Sequence, residues 1–291
     1  MITAHLISTA QARIATSGSD SPRLDAEVLF RHAAGMDRTQ LFLALQDEAN
    51  DDVTTAFHDL IDQRIAGTPV AYLTGHREFM GLDLAVTPDV LIPRPETELL
   101  VEWALKWLGT RPGTPMNVVD VGAGSGAIAI SVAALAGGKH RVCAIEPSAP
   151  ARDIITRNAN ELLTMEQRSR FTVSDGDLLT DQSGPFGVVL ANLPYLTPEQ
   201  IAGNPDLGAE PRLALDGGNN GLDLIKRLIA QLPDRVADTC AVGLEIDPAQ
   251  STSVARLLQA TLPGADVSII RDLAGLDRHV VATQRPSHPR T

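Results

Sequence analysis

The sequence predicts an α/β protein: a doubly wound, mostly parallel sheet over residues 111–285, preceded by a small helical bundle. Three observations predict it. Short apolar runs such as Val118-Val119-Asp120-Val121, Val142-Cys143-Ala144-Ile145 and Val188-Val189-Leu190 alternate with stretches of helical periodicity. A glycine-rich turn, Gly122-Ala123-Gly124-Ser125-Gly126, joins the first of these runs to a helix-like stretch, 127–136. The first 67 residues, by contrast, show helical spacing alone. Parallel strands covered by helices on both faces hold their ligands beyond the strand carboxyl ends, where the strand order reverses.

Taken in order, Leu6, Ile7, Ala10 and Ile14 recur at helix spacing, and Ser21-Pro22 reads as an N-cap followed by proline at the first helical position. Residues 37–45 and 51–66 complete the bundle, which ends at Gly67. His5, His32 and His58 are scattered through it and read as surface or capping residues, so the bundle (1–67) recognises a substrate or supports its neighbour. Over 68–110 we expect strands at 70–75 and 79–86 forming a hairpin, then an amphipathic helix from Glu96 to Gly109 with Leu99, Leu100, Trp103 and Leu108 inward. Pro93 and Pro95 keep the entry to that helix extended. Arg94, Glu96 and Thr97 there form either the start of a solvated helix or a polar wall over a ligand. From 111 the expected strands are 118–121, 142–146, 171–173, 188–192, 241–246, 267–270 and 279–282, with helices near 127–136, 149–163, 222–232 and 248–261. The tail, 286–291, is expected to fray.

Composition narrows the function. The chain has 291 residues, 44% of them apolar, enough for two domains or one large one. Its formal charge, 24 − 36 = −12, disfavours a phosphate backbone as partner. Lys106, Lys139 and Lys226 are its only lysines. Cys143 and Cys240 have apolar neighbours and no ligand-like spacing, which predicts buried free thiols and a reducing compartment. Neither a basic leader nor a long apolar span is visible, so a cytoplasmic protein without a membrane segment or metal is expected.

Chemistry concentrates at Asn192-Leu193-Pro194-Tyr195, which closes the run 188–190. A nitrogen whose lone pair is delocalised is a poor nucleophile, so an enzyme that alkylates it must hold both of its hydrogens and aim it at the electrophile. Asn192 offers a side-chain oxygen and Leu193 a backbone carbonyl that Pro194 holds extended, while Tyr195 offers an aromatic face. A strand followed by a proline loop, with Tyr195 as core filler, has the same sequence. The glycine turn is ambiguous as well. With Glu146 at the end of the next strand as a ribose acceptor, it suits S-adenosylmethionine, and Gly122, Gly124 and Ala127 also satisfy a dinucleotide fingerprint. The strand ending at Asn192 favours the former, because a nicotinamide enzyme more often presents a general acid or base there. Asp177 and Leu178, after the third strand, are candidate contacts for the adenine.

Together these residues resemble the release-factor glutamine N5-methyltransferases, over roughly 24–283. Val90-Leu-Ile-Pro-Arg-Pro-Glu-Thr-Glu-Leu-Leu-Val101 is the most specific stretch, preceded by Pro69-Val-Ala-Tyr-Leu-Thr-Gly75 and Phe79-Met-Gly-Leu82. Glu210-Pro-Arg-Leu-Ala-Leu-Asp-Gly-Gly218 and Asp272-Leu-Ala-Gly-Leu-Asp-Arg278 are two further family-like blocks. The resemblance implies a class I S-adenosylmethionine-dependent domain of seven strands and an N-terminal helical domain. It implies methylation of the glutamine in the Gly-Gly-Gln loop of release factors, with S-adenosylhomocysteine as product; separately, the acidic charge disfavours direct nucleic-acid binding, and a monomer is expected. The resemblance assigns residues 122–126 and Glu146 to the cofactor, with Asp177 and Leu178, and residues 192–195 to the glutamine. Two positions depart from the family pattern: Leu193 stands where proline is usual, and Glu146 where aspartate is. Asn-Leu-Pro-Tyr also occurs in ribosomal-RNA adenine dimethylases, whose N6 amino group poses the same two-hydrogen problem. The runner-up readings are therefore an adenine N6-methyltransferase, or a binding or NAD-dependent use of the same fold.

Overall fold

The computed structural model describes residues 1–111, 113–137 and 139–285, and the tail expected to fray lies outside them. The chain divides into two compact units, Met1–His76 and Arg77–Thr291.

In the first unit, α1 (Thr3–Ala15), α2 (Pro22–Ala34), α3 (Arg38–Ala44), α4 (Asp51–Ile65) and α5 (Val70–Thr74) enclose one core. Leu6, Ile14, Leu29, Phe30, Phe57 and Ile61 are fully buried, with Phe30 edge-on to Phe57. Reciprocal hydrogen bonds between Asp37 and Gln40 start α3, and the Asn50 side chain accepts the Val53 amide at the head of α4. Ser21 stands at the N-cap of α2, but its hydroxyl donates to Asp25, a buried carboxylate that also pairs with Arg64 at 2.9 Å. The strand expected at 70–75 is instead α5. Its Val70 and Leu73, three apart, both face the bundle core, and Gly75 ends the turn at φ 76°. The first hairpin strand lies further on, at β1 (His76–Phe79), and the second, β2 (Leu82–Ala85), falls within the expected 79–86. Met80 and Gly81 take φ of 53° and 75°, the paired left-handed conformation of a two-residue hairpin turn.

In the second unit, α6 (Pro95–Gly109) buries Thr97, Leu100, Val101, Ala104, Trp107 and Leu108; Leu99 and Trp103, expected inward, are half-buried at the edge of that face. Then follow β3 (Asn117–Val121), α7 (Ala127–Leu135), β4 (Arg141–Ile145), α8 (Ala149–Leu162), α9 (Met165–Arg168), β5 (Phe171–Ser174), β6 (Phe186–Ala191), α10 (Pro198–Ala202), α11 (Asp223–Gln231), β7 (Val236–Glu245), α12 (Ser251–Thr261), β8 (Asp266–Arg271) and β9 (Asp277–Gln284). Seven strands form one sheet in the order β5-β4-β3-β6-β7-β9-β8, parallel from β5 to β7 and with β9 antiparallel to both neighbours. This is the doubly wound class I methyltransferase sheet that the sequence predicts.

Alternation along each strand separates two apolar layers. Val118, Val188 and Leu190 pack with Leu100, Ile128 and Ile155 of α6, α7 and α8. Val119, Val121, Val189 and Ala191 pack with Ile225, Leu228, Val254 and Leu258 of α11 and α12. All six residues of β6 are buried, as a central strand covered on both faces requires. Both cysteines are free: Cys240 is buried and Cys143 only half-buried. Among the described residues no helix is long and apolar enough to cross a membrane.

Candidate active site

Strand register assembles the site. Val121 at the end of β3 pairs with Ile145 of β4 and Ala191 of β6, and Ala191 pairs in turn with Leu244 of β7. The next residue along each strand, namely Gly122, Glu146, Asn192 and Glu245, therefore reaches the carboxyl edge of the sheet in one row. Helical crossovers part company between β3 and β6, so the row straddles the position where open α/β sheets bind ligands.

A cavity of about 520 Å³ opens there, within the size range of small-molecule sites (roughly 300–1,000 Å³). The glycine turn contributes Gly122, Ala123, Gly124 and Ser125 to its wall. Glu146, Asp177 and Leu178 line it from the ends of β4 and β5, and Asn192, Leu193 and Pro194 from the end of β6. Arg94 and Thr97 close another side. Three of the predicted residues lie outside this lining: Gly126, Glu96 and Tyr195. Gly126 sits at φ 84° where a Cβ would come 2.8 Å from Ile130, which lets α7 begin against its own core. Glu96 is half-buried in the first turn of α6. Tyr195 packs against the α11/α12 layer, and its hydroxyl donates to Glu245 at 3.4 Å. Burial, then the Glu245 charge, pushes its phenol far above the ordinary value.

Glu146 is 93% buried and ties the turn to its strand: one oxygen accepts the Gly124 amide at 2.8 Å, the other the Ser148 amide at 2.9 Å. Each carboxylate oxygen retains a second lone pair for an outside donor. Gly124, at φ 56°, has nothing within 4 Å of where a Cβ would stand, so its backbone is open to a close-lying ligand. This lining fits the adenosyl and ribose portions of S-adenosylmethionine: a carboxylate to accept from vicinal hydroxyls, a bare backbone turn and the apolar Leu178. Leu178 is held at φ 58°, a left-handed conformation unusual for leucine. The Asp177 carboxylate is paired with Arg227 at the rim. Among the described residues no cluster of His, Cys, Asp or Glu could hold a metal ion.

The loop that follows β6 is braced from behind. Leu196 N–H donates to the Leu215 carbonyl and Gly217 N–H to the Leu196 carbonyl, at 3.1 and 2.8 Å. Gln250 donates to the carbonyls of Tyr195 and Gly221. Arg94 is paired with Glu210, a buried acid that also accepts the Ile92 amide, so the extended entry to α6 is anchored to the family-like block at 210–218. Asn192 Nδ2 donates to Thr97 Oγ1 at 3.1 Å, and Thr97 donates to the buried Glu245 at 2.7 Å. Sequence reasoning placed Glu210 in a family-like block without a role, and missed Glu245 and Gln250. For Glu245 a partial signal was present: an acid within the otherwise apolar strand expected at 241–246.

Known proteins align with both units. The family model described as the PrmC N-terminal domain matches residues 5–75, and one described as a methyltransferase domain matches 118–203. The release factor glutamine methyltransferase of Moorella thermoacetica is 38% identical over 275 residues, covering 94% of this chain and 95% of that protein. The protein of the same name from Burkholderia pseudomallei is 42% identical over 261 residues, covering 88% and 90%. The catalytic domain of hMettl16, solved with an MAT2A 3′UTR hairpin, shares the fold at a TM-score of 0.57 and 16% identity, over 80% of this chain and 84% of that one. At such identity over nearly its full length, the chain belongs to the release factor glutamine methyltransferase family.

Proposed function

We propose that this chain transfers the methyl group of S-adenosylmethionine to the side-chain amide nitrogen of the glutamine in the Gly-Gly-Gln motif of peptide-chain release factors. One observation carries the reading: Glu146 and residues 192–194 open into the same cavity from strands on either side of β3. A cofactor held by its ribose at Glu146 and an amide held at Asn192 would share that cavity.

When bound, S-adenosylmethionine supplies an electrophilic methyl on a cationic sulfonium. Asn192 and the Leu193 carbonyl accept the two amide hydrogens of the substrate glutamine and orient its nitrogen. As the sulfur–methyl bond breaks and positive charge moves onto that nitrogen, these fixed acceptors stabilise the transition state, and the methylated amide then releases one of its two hydrogens as a proton to solvent. Leu193, 3% exposed and packed against the Gly122 turn, and Pro194 keep water from the reacting centre. Residues 1–67 recognise the substrate, and the protein acts as a cytoplasmic monomer that needs no metal.

The test uses purified protein with methyl-labelled S-adenosylmethionine and, separately, a bacterial release factor or naked RNA. Label on the Gly-Gly-Gln glutamine is the expected result; label on RNA adenine alone overturns the reading. Asn192→Ala should lower transfer by at least ~100-fold, the scale of losing one oriented polar group, with S-adenosylmethionine affinity by calorimetry near the parent's. Unchanged turnover removes Asn192 from the chemistry.

A further inference from the structure

Gripping an amide NH2 requires that Asn192 present its oxygen. The side chain of asparagine carries an acceptor and a donor at opposite corners of one plane, and a half-turn exchanges them. Flipped, Asn192 would meet the two hydrogens of the substrate with two of its own.

Something must choose between the two orientations. We propose that Thr97 and Glu245 are positioning residues that lock the Asn192 amide with its oxygen available to the substrate. The inference rests on the functional reading above and deepens it. Thr97 is 4% exposed, and its hydroxyl has a single hydrogen. That hydrogen is committed to Glu245 Oε2 at 2.7 Å. Glu245 is 1% exposed, and its carboxylate can only accept. Thr97 Oγ1 has therefore no hydrogen left to donate and can only accept from Asn192, whose Nδ2 lies 3.1 Å away. The Asn192 oxygen is the atom left over for a ligand.

The anchor of this relay is itself fixed. Glu245 Oε1 accepts the Tyr195 hydroxyl at 3.4 Å, so the first and last residues of the tetrad are tied to one carboxylate. His279, fully buried on the antiparallel partner strand β9, packs beside it with Nε2 3.4 Å from Glu245 Oε2 but makes no hydrogen bond to it. Tyr195, outside the cavity lining, thus contributes through Glu245. Both Thr97 in the first turn of α6 and Glu245 at the tip of β7 are remote in sequence from Asn192, at separations of 95 and 53 residues (192 − 97; 245 − 192).

The experiment compares the full-length parent with Thr97→Val, which keeps the shape and deletes the hydroxyl, and Thr97→Ser, which restores it. Methyl transfer to a bacterial release factor is measured in single turnovers at saturating S-adenosylmethionine. The Asn192 side-chain amide is followed in parallel by ¹H–¹⁵N NMR, its signal identified by its loss in Asn192→Ala. In Thr97→Val the rate should fall ~10- to 100-fold, the scale of a misplaced reacting group, while S-adenosylmethionine affinity stays within about twofold. Amide-proton exchange at Asn192 should quicken in the same variant, and Thr97→Ser should restore both. The proposal is overturned if Thr97→Val matches the parent in rate and exchange, if Thr97→Ser is as impaired as Thr97→Val, or if cofactor affinity falls in step with rate. Should the parent itself leave release factor unmethylated, the functional reading fails, and the exchange measurement alone still decides whether Thr97 locks the amide.

Discussion

Two buried acids of the sheet have opposite consequences when altered. Glu146 accepts two backbone amides and, on the reading above, the ribose hydroxyls, so Glu146→Ala should weaken S-adenosylmethionine by about 1.5–3 kcal/mol in calorimetry, the range for hydrogen bonds to a charged group. An unchanged titration removes it from the site. Asp120 lies one residue before the end of β3, and its Oδ2 accepts the Ala129 amide while Oδ1 is buried with no hydrogen-bond partner. Burial first, and the nearby Glu146 charge, push its carboxyl from 3.8 to about 7. The unfolded group thus loses its proton earlier than the folded one. Stability from this site is complete below pH ~4 and is lost as pH rises through about 7, to a total of ~4 kcal/mol at 1.36 kcal/mol per pH unit. Asp120→Asn should abolish that slope. Denaturant unfolding at pH 5 and pH 7 should show the parent losing roughly 2–3 kcal/mol relative to the variant; parallel curves would mean that Asp120 does not titrate there.

At the scale of elements, the loop after β6 owes its position to the chain at 215–221 as much as to its own proline. A Cβ on Gly217 would come 2.5 Å from the Pro194 carbonyl oxygen and 2.8 Å from Tyr195 Cα, both backbone atoms that cannot swing aside. Gly217→Ala should therefore displace residues 194–195 and cut transfer by ~10-fold or more with S-adenosylmethionine affinity little changed; equal loss of both would point to general unfolding instead. This brace also bears on Leu193, since a loop held by Gly217, Gly221 and Gln250 depends less on a second proline for its rigidity. How far each feature could be read in advance follows from the same contacts. Strand ends, the glycine turn, Glu146 and Asn192 were legible because each is a local pattern: an apolar run, then a residue with a distinct chemical reason to stop it. Residues 70–75 misled because six apolar-rich positions satisfy both periodicities, and the choice fell to packing of Val70 and Leu73 on the bundle core. The Thr97–Glu245 relay was hidden because it joins α6 to β7, and only the ladder register brings Glu245 beside Asn192.

At the scale of the whole molecule, the two units have separate cores, and no residue of the bundle core at 6–73 belongs to either apolar layer of the sheet. Every residue lining the cavity falls between Pro88 and Arg227, within the second unit. A fragment spanning 76–291 keeps the β1–β2 hairpin, the complete sheet and both apolar layers. It should fold with a cooperative transition and bind S-adenosylmethionine within a few-fold of the full chain, a difference under ~1 kcal/mol on the affinity scale. The substrate side should respond differently if residues 1–67 recognise the release factor. Transfer at low release-factor concentration should then fall by ~10-fold or more, and raising that concentration should recover much of the loss, because a missing binding surface raises KM while leaving the chemistry in place. Circular dichroism melting, calorimetry with S-adenosylmethionine and a release-factor titration separate these outcomes. A fragment that melts without cooperativity would refute the independence of the sheet unit, and one with unaltered KM would assign the bundle a role other than substrate recognition.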